Sequence, residues 1–135
     1  LIVERYYWLP LGCDKMRYQG LANVLADYAF NSGTARAVRA LQHGLNTLLV
    51  YEKRRAARHL EPLKVDGVVG PLTMRLMQMT VKSTGRADSL ISHITAERIQ
   101  FITEAVGIHE KFKPGLIARA NRVCQEALNN DEPAG

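Results

Sequence analysis

The stretch Leu21-Ala22-Asn23-Val24-Leu25-Ala26-Asp27-Tyr28-Ala29-Phe30-Asn31-Ser32-Gly33, continued by Thr34-Ala35-Arg36-Ala37-Val38-Arg39-Ala40-Leu41-Gln42, decides the fold class. Its apolar positions Leu21, Val24, Leu25, Tyr28 and Ala29 recur at three- and four-residue spacing, the period of a helix buried along one stripe. Asn31-Ser32-Gly33 stops the run with residues suited to left-handed or turn geometry. Thr34 stands where a helix cap belongs. The helix expected after it turns Ala37, Val38, Leu41, Leu45, Leu48 and Leu49 inward and Arg36, Arg39 and Gln42 outward.

The same period runs outward from this stretch in both directions. A short helix is expected to end near Trp8, because Pro10 and Gly12 forbid its continuation. Lys53-Arg54-Arg55-Ala56-Ala57-Arg58-His59 reads as a solvated surface or a helix end. Val65-Asp66-Gly67-Val68-Val69-Gly70-Pro71 is the clearest loop, with two glycines for tight turns and a proline fit for the first turn of the next helix. That helix presents Leu72, Leu76 and Met79 at core spacing, with Met74 and Met77 as gap fillers. Asp88 or Ser89 is the expected cap of a long helix whose stripe is Ile91, Ile94, Arg98, Phe101, Ile102 and Ala105, ending at Gly107. Pro114 opens a last helix bearing Leu116, Ile117, Ala120, Val123, Cys124 and Leu128. Strand alternation is nearly absent, so the expectation is an all-α fold of about five to six helices.

With 135 residues the chain has the length of one ordinary domain. The 47% hydrophobic and 23% charged residues fit a globular fold rather than a long disordered segment. No apolar run approaches a membrane span, and no membrane insertion is expected. The net charge of +5 suits an anionic partner without choosing one. The basic stretch comes with neither a helix-turn-helix signature nor a stacking motif, so no nucleic acid is expected. Cys13 and Cys124 form a disulfide only if the fold brings them together, and otherwise are two thiols. The four histidines stand in no metal spacing, and neither a metal nor a cofactor is expected.

Four passages, in this order, resemble the secretion-activator-type muramidases of glycoside hydrolase family 108. They are Tyr7-Trp8; Asp27-Tyr28-Ala29-Phe30-Asn31-Ser32-Gly33; Val65-Asp66-Gly67-Val68-Val69-Gly70-Pro71-Leu72-Thr73; and Glu97-Arg98 followed by Phe112 and Asn121-Arg122-Val123. The resemblance implies a compact lysozyme-like helical fold. It makes residues 1–33 the C-terminal part of the catalytic region and 34–128 a peptidoglycan-binding helical region packed into the same fold, with 129–135 a frayed tail. Two departures stand out. Gly115-Leu116 replaces the family's Gly-Trp, and the family's catalytic Glu-Gly-Gly motif is absent, since no Glu-Gly pair occurs in the sequence.

Cleaving a glycosidic bond needs a carboxylic acid that donates a proton to the leaving oxygen, with a second carboxylate or an activated water opposite. No residue here matches the family's acid, and Asp27 is the one carboxylate inside a matching motif near the turn. It can orient a water, fix the Asn31 turn or pair with an arginine. The chain opens without Met on Leu1-Ile2-Val3-Glu4 and reads as the continuation of a longer one, whose earlier part is expected to bring the acid.

Asn31, Ser32 and Gly33 are the candidate substrate-binding residues, because a carboxamide suits an N-acetyl sugar and Gly lets backbone approach a ligand; the competing reading is that they only end one helix and start another. Tyr7 and Trp8 join them as a sugar-stacking platform or as core aromatics. Asp66, Gly67 and Gly70 are expected to hold the loop through an Asx-type turn. Arg98 on an apolar stripe calls for a buried carboxylate, with Asp27 and Glu97 the candidates. The partner that the resemblance implies is peptidoglycan glycan strands. The setting is the bacterial cell wall, reached by a bacterial or phage protein, and the other reading is a non-catalytic peptidoglycan-binding module.

Overall fold

The computed structural model describes residues 19–56, 61–84 and 87–129. They form five α-helices, α1 (Gln19–Ser32), α2 (Thr34–Ala56), α3 (Pro71–Thr84), α4 (Asp88–Glu104) and α5 (Lys113–Asn129), with a 3₁₀ turn at Glu110–Phe112 and no strand among the described residues. The all-α expectation is met. The first short helix, Tyr7, Trp8 and Cys13 lie outside the described residues, as do the side chains of Lys53 to His59 and the tail from Asn130.

α1 is the centre of the molecule. Gly20, Leu21, Ala22, Val24, Leu25, Ala26, Tyr28 and Ala29 are all buried, so apolar surface covers most of its circumference, as a helix enclosed by others requires. It packs against α2, α4 and α5, while α2 also meets α4 and α3. The core closes with Leu41, Leu45 and Leu49 of α2, Leu76 and Met77 of α3, and Leu90, Ile91 and Ile94 of α4. α5 is amphipathic: Ala120 and Ala127 are buried, and Val123, Cys124 and Leu128 cover the core half-exposed.

At Gly20 the backbones of α1 and α5 nearly touch: a Cβ there would lie 2.5 Å from the Ala127 carbonyl oxygen. Alanine is the better helix former by about 1 kcal/mol, but this clash is with backbone rather than a movable side-chain end. Gly20→Ala is therefore expected to destabilise by about 1–3 kcal/mol. A urea midpoint equal to wild type would show that the helices separate without cost.

Several local expectations need correction. α1 and α2 are joined by one residue, Gly33, at φ +97°. Its N–H still donates to Ala29 O (2.8 Å), and its own carbonyl accepts from Ala37 N (3.2 Å). Gly33 is thus the cap of α2 and Thr34 is already inside the helix. Likewise Ala87, not Asp88 or Ser89, caps α4, with Ile91 N donating to its carbonyl and no side-chain cap; Asp88 sits in the first turn, where the helix dipole favours an anion. α4 ends at Glu104 with Ala105 extended, ahead of Gly107.

On α3 the buried residues are Thr73, Leu76, Met77 and Thr80: Leu76 is core as expected, but Leu72 is 71% exposed and Met79 only partly buried. Gln42 is 1% exposed and faces inward, contrary to its expected outward place. The two corrections share a cause, since Thr73 and Gln42 meet each other, as described next.

Candidate functional site

Three constellations position the chemistry-bearing residues. The first holds the Val65–Pro71 loop onto α2. Gln42 Nε2 donates to Asp66 Oδ1 (3.0 Å), Val68 O (3.0 Å) and Thr73 Oγ1 (3.3 Å), and its Oε1 accepts from the N–H groups of Asp66 (3.1 Å) and Gly67 (3.0 Å). One turn on, Asn46 repeats the device, donating to Leu63 O (3.0 Å) and accepting from Leu63 N (2.7 Å). Two carboxamides at i and i+4 thereby replace the partners a strand would give this irregular backbone.

Asp66 Oδ1 also accepts from Val68 N (3.0 Å), an Asx-type turn. The hydrogen bond from Gln42 is the main reason its carboxyl lies below the usual carboxylate value. Gly67 has φ +79°, and a Cβ there would press on Ala35 at 3.1 Å, so both conformation and space demand glycine. Gly70 accepts from Met74 N as the cap of α3, with Pro71 in its first turn.

The second constellation centres on Asp27, near the end of α1. Arg98 Nη1 donates to its Oδ2 (2.8 Å) and Arg119 Nη2 to its Oδ1 (2.7 Å), tying α1 to α4 and α5. Of the two carboxylates proposed for Arg98, Asp27 is the partner. Burial pushes the Asp27 carboxyl up, but the hydrogen bonds and charges of Arg119 and Arg98 outweigh it and leave it below its ordinary value. A carboxylate so held has no proton to give at neutral pH, so its chemistry is to organise two guanidinium groups. Asn31, an exposed residue, donates its Nδ2 back to Asp27 O at 2.8 Å. Its carboxamide thus finishes α1, while Ser32 and Gly33 form the corner to α2.

The third constellation is a groove of about 320 Å³ between α2 and α4, which run antiparallel. Arg36, Arg39 and His43 form one lip and Glu97, Gln100, Phe101 and Glu104 the other, with buried Tyr28 at the floor. Glu97 Oε1 lies between two imidazoles, 3.1 Å from His43 Nδ1 and 3.2 Å from His93 Nε2. The guanidinium of Arg36 lies over the Phe101 ring, 3.9 Å from its centroid. Asn31 does not line this groove. A second hollow beside the α4–α5 turn, bounded by Ile108, His109, Phe112 and Leu116, is mostly apolar and brings no charged side chains together. Among the described residues, no group of three or more His, Cys, Asp or Glu is placed to hold a metal ion, and no helix is long and apolar enough to cross a membrane.

Sequence reading singled out neither the Glu97 cluster nor the two carboxamide clips. Gln42 did carry a signal, since it shares a helical stripe with Val38, Leu45 and Leu49 and is the polar member of an apolar set. In the Glu97 cluster the His93–Glu97 pair, four residues apart on one helix, was open to sequence reading, but His43, which lies 54 residues from Glu97, carried no signal.

Fold and site together define an all-α domain with a charged groove between antiparallel helices. A solved structure of SagA from Brucella abortus is similar to it, with a TM-score of 0.74 and 25% sequence identity. The match covers 96% of this chain and 61% of that one, so this chain spans about three fifths of the length of SagA. No family model matches the chain, and no curated protein does.

Proposed function

We propose that this chain belongs to a peptidoglycan hydrolase of the secretion-activator type. In this reading it supplies the helical, glycan-holding wall of an N-acetylmuramidase that cuts the β-1,4 bond between N-acetylmuramic acid and N-acetylglucosamine. The observation that carries the reading is the likeness to Brucella abortus SagA along almost the whole chain, which supports a secretion-activator fold. The ordered Asn-Ser-Gly and Val-Asp-Gly-Val-Val-Gly-Pro passages add to it. The net charge of +5 favours approach to an anionic wall outside the cytoplasm.

The second reading is a peptidoglycan-binding module without catalysis, and the state of Asp27 agrees with it. Asp27, the carboxylate beside the Asn-Ser-Gly turn, is kept ionised by two arginines and is unfit as a general acid. Both readings are tested with the 135-residue chain and purified peptidoglycan sacculi. Co-sedimentation at low salt that weakens as salt rises is expected, without release of reducing ends. Release of reducing ends would mean that these residues include an acid catalyst and would favour the hydrolase over the module. Failure to sediment at low salt would sink both.

A further inference from the structure

Arg36 and Arg39 occupy the first two turns of α2, which has no acidic residue in its first turn. Folding stability alone favours anions there, since the helix N-terminus is itself positive. The Arg36 guanidinium lies over the Phe101 ring, 3.9 Å from its centroid, an attraction that restrains an otherwise exposed side chain at the groove. Among the described residues neither arginine makes a hydrogen bond or an ion pair with a carboxylate, in contrast to Arg98 and Arg119. The opposite lip is acceptor-rich: Glu97 between its imidazoles, and Glu104, which takes the Gln100 amide at 3.2 Å.

From Arg36 to His43 the groove runs roughly 10 Å along the helix, the length of about three extended residues. Its two lips thus offer two guanidinium groups free of carboxylate partners on one side and carboxylates for N–H donors on the other. A free carboxylate gains charge-assisted hydrogen bonds from the guanidinium lip that a neutral hydroxyl does not, and peptide N–H groups find carboxylate acceptors on the other lip.

We propose that the α2–α4 groove binds a short peptide through its free carboxylate, held by Arg36 and Arg39, with Glu97 and Glu104 accepting its N–H groups. The inference rests on the wall-directed reading above, in which the peptide is the stem borne by the glycan strand.

The test titrates the full chain by calorimetry with three probes: a synthetic stem tripeptide, the same tripeptide with every carboxylate amidated, and a tetrasaccharide of N-acetylglucosamine. Wild type is expected to bind the carboxylate form at least about tenfold more tightly than the amidated form. Arg36→Gln and Arg39→Gln should each lose that preference. Arg36→Lys, which keeps the charge but not the planar fork, should lose most of it, and Phe101→Leu should weaken it. Arg36 and Arg39 are exposed, so unchanged unfolding midpoints are expected and serve as the control.

Equal binding of the two tripeptides by wild type, or wild-type binding by the Arg36→Gln/Arg39→Gln double variant, would overturn the proposal. Sacculus sedimentation run in parallel separates the two ideas. A chain that sediments but shows no carboxylate preference defeats this inference alone. A chain that takes the tripeptide through the arginines but does not sediment defeats only the wall-directed reading.

Discussion

Asp27→Ala is expected to cost the fold about 3–5 kcal/mol, because it leaves Arg98 as an unpaired charge in the interior. Arg98 is 3% exposed and Asp27 16%, so solvent screens their pair little. Arg119, at 45% exposed, adds less. Equilibrium urea unfolding at pH 7 measures the loss. The double variant Asp27→Leu/Arg98→Met should recover much of it, since removing both charges removes the orphan as well as the pair. A single variant as stable as wild type would show that the clamp is not a stabilising element.

The same residue sets an acid limb. Its folded pKa lies below the ordinary 3.8, so its contribution is complete above that value and is lost as pH falls from there through the lower folded value. Asp27→Asn does not titrate, so its stability should decline less steeply over this window. Parallel acid limbs in the two proteins would contradict the assignment.

Gln42→Ala is the second large effect, expected at about 2–4 kcal/mol. The truncation strips the partner from the buried Gly67 N–H and from the Val68 carbonyl at once, and opens space beside Thr73. Because the damage is local, amide exchange at Gly67 should accelerate more than exchange in the core of α1. Gln42→Glu keeps an acceptor but faces a new buried charge toward the Asp66 carboxylate, and should not rescue. Unaltered exchange at Gly67 in Gln42→Ala would show that the loop holds itself.

Helix positions were readable because apolar side chains announce a period of three to four. Leu21, Val24, Leu25, Tyr28, Leu41, Leu45, Ile91 and Ile94 are all core residues, as the spacing requires. The spacing failed where burial is polar. The spacing put Leu72 in the core, but the hydroxyl of Thr73 has a partner in Gln42, and that contact sets which face α3 turns inward.

The site was less legible. Arg98 advertised a missing carboxylate, and Asp27 supplied it. Arg119, which completes the clamp, sits on a surface face that periodicity cannot tell from any other. The groove depends on bringing Arg36 to Phe101 and His43 to Glu97, and no local rule ranks such pairings above others. The resemblance to the muramidases pointed to Asn31. In the structure its carboxamide is engaged with its own helix, and Asn31 is not among the residues that line the charged groove.

The single-residue joint at Gly33 also bears on how the chain reaches this state. α1 and α2 meet with almost no loop to close, so their association costs little chain entropy and ranks among the contacts available earliest. The clamp is the opposite case: Arg119 must arrive from 92 residues away before Asp27 is fully engaged. The order this implies is a helical corner that nucleates and a distant arginine that latches it. Substitutions at the corner would then act mainly on the folding rate, and those at the latch mainly on the rate of unfolding.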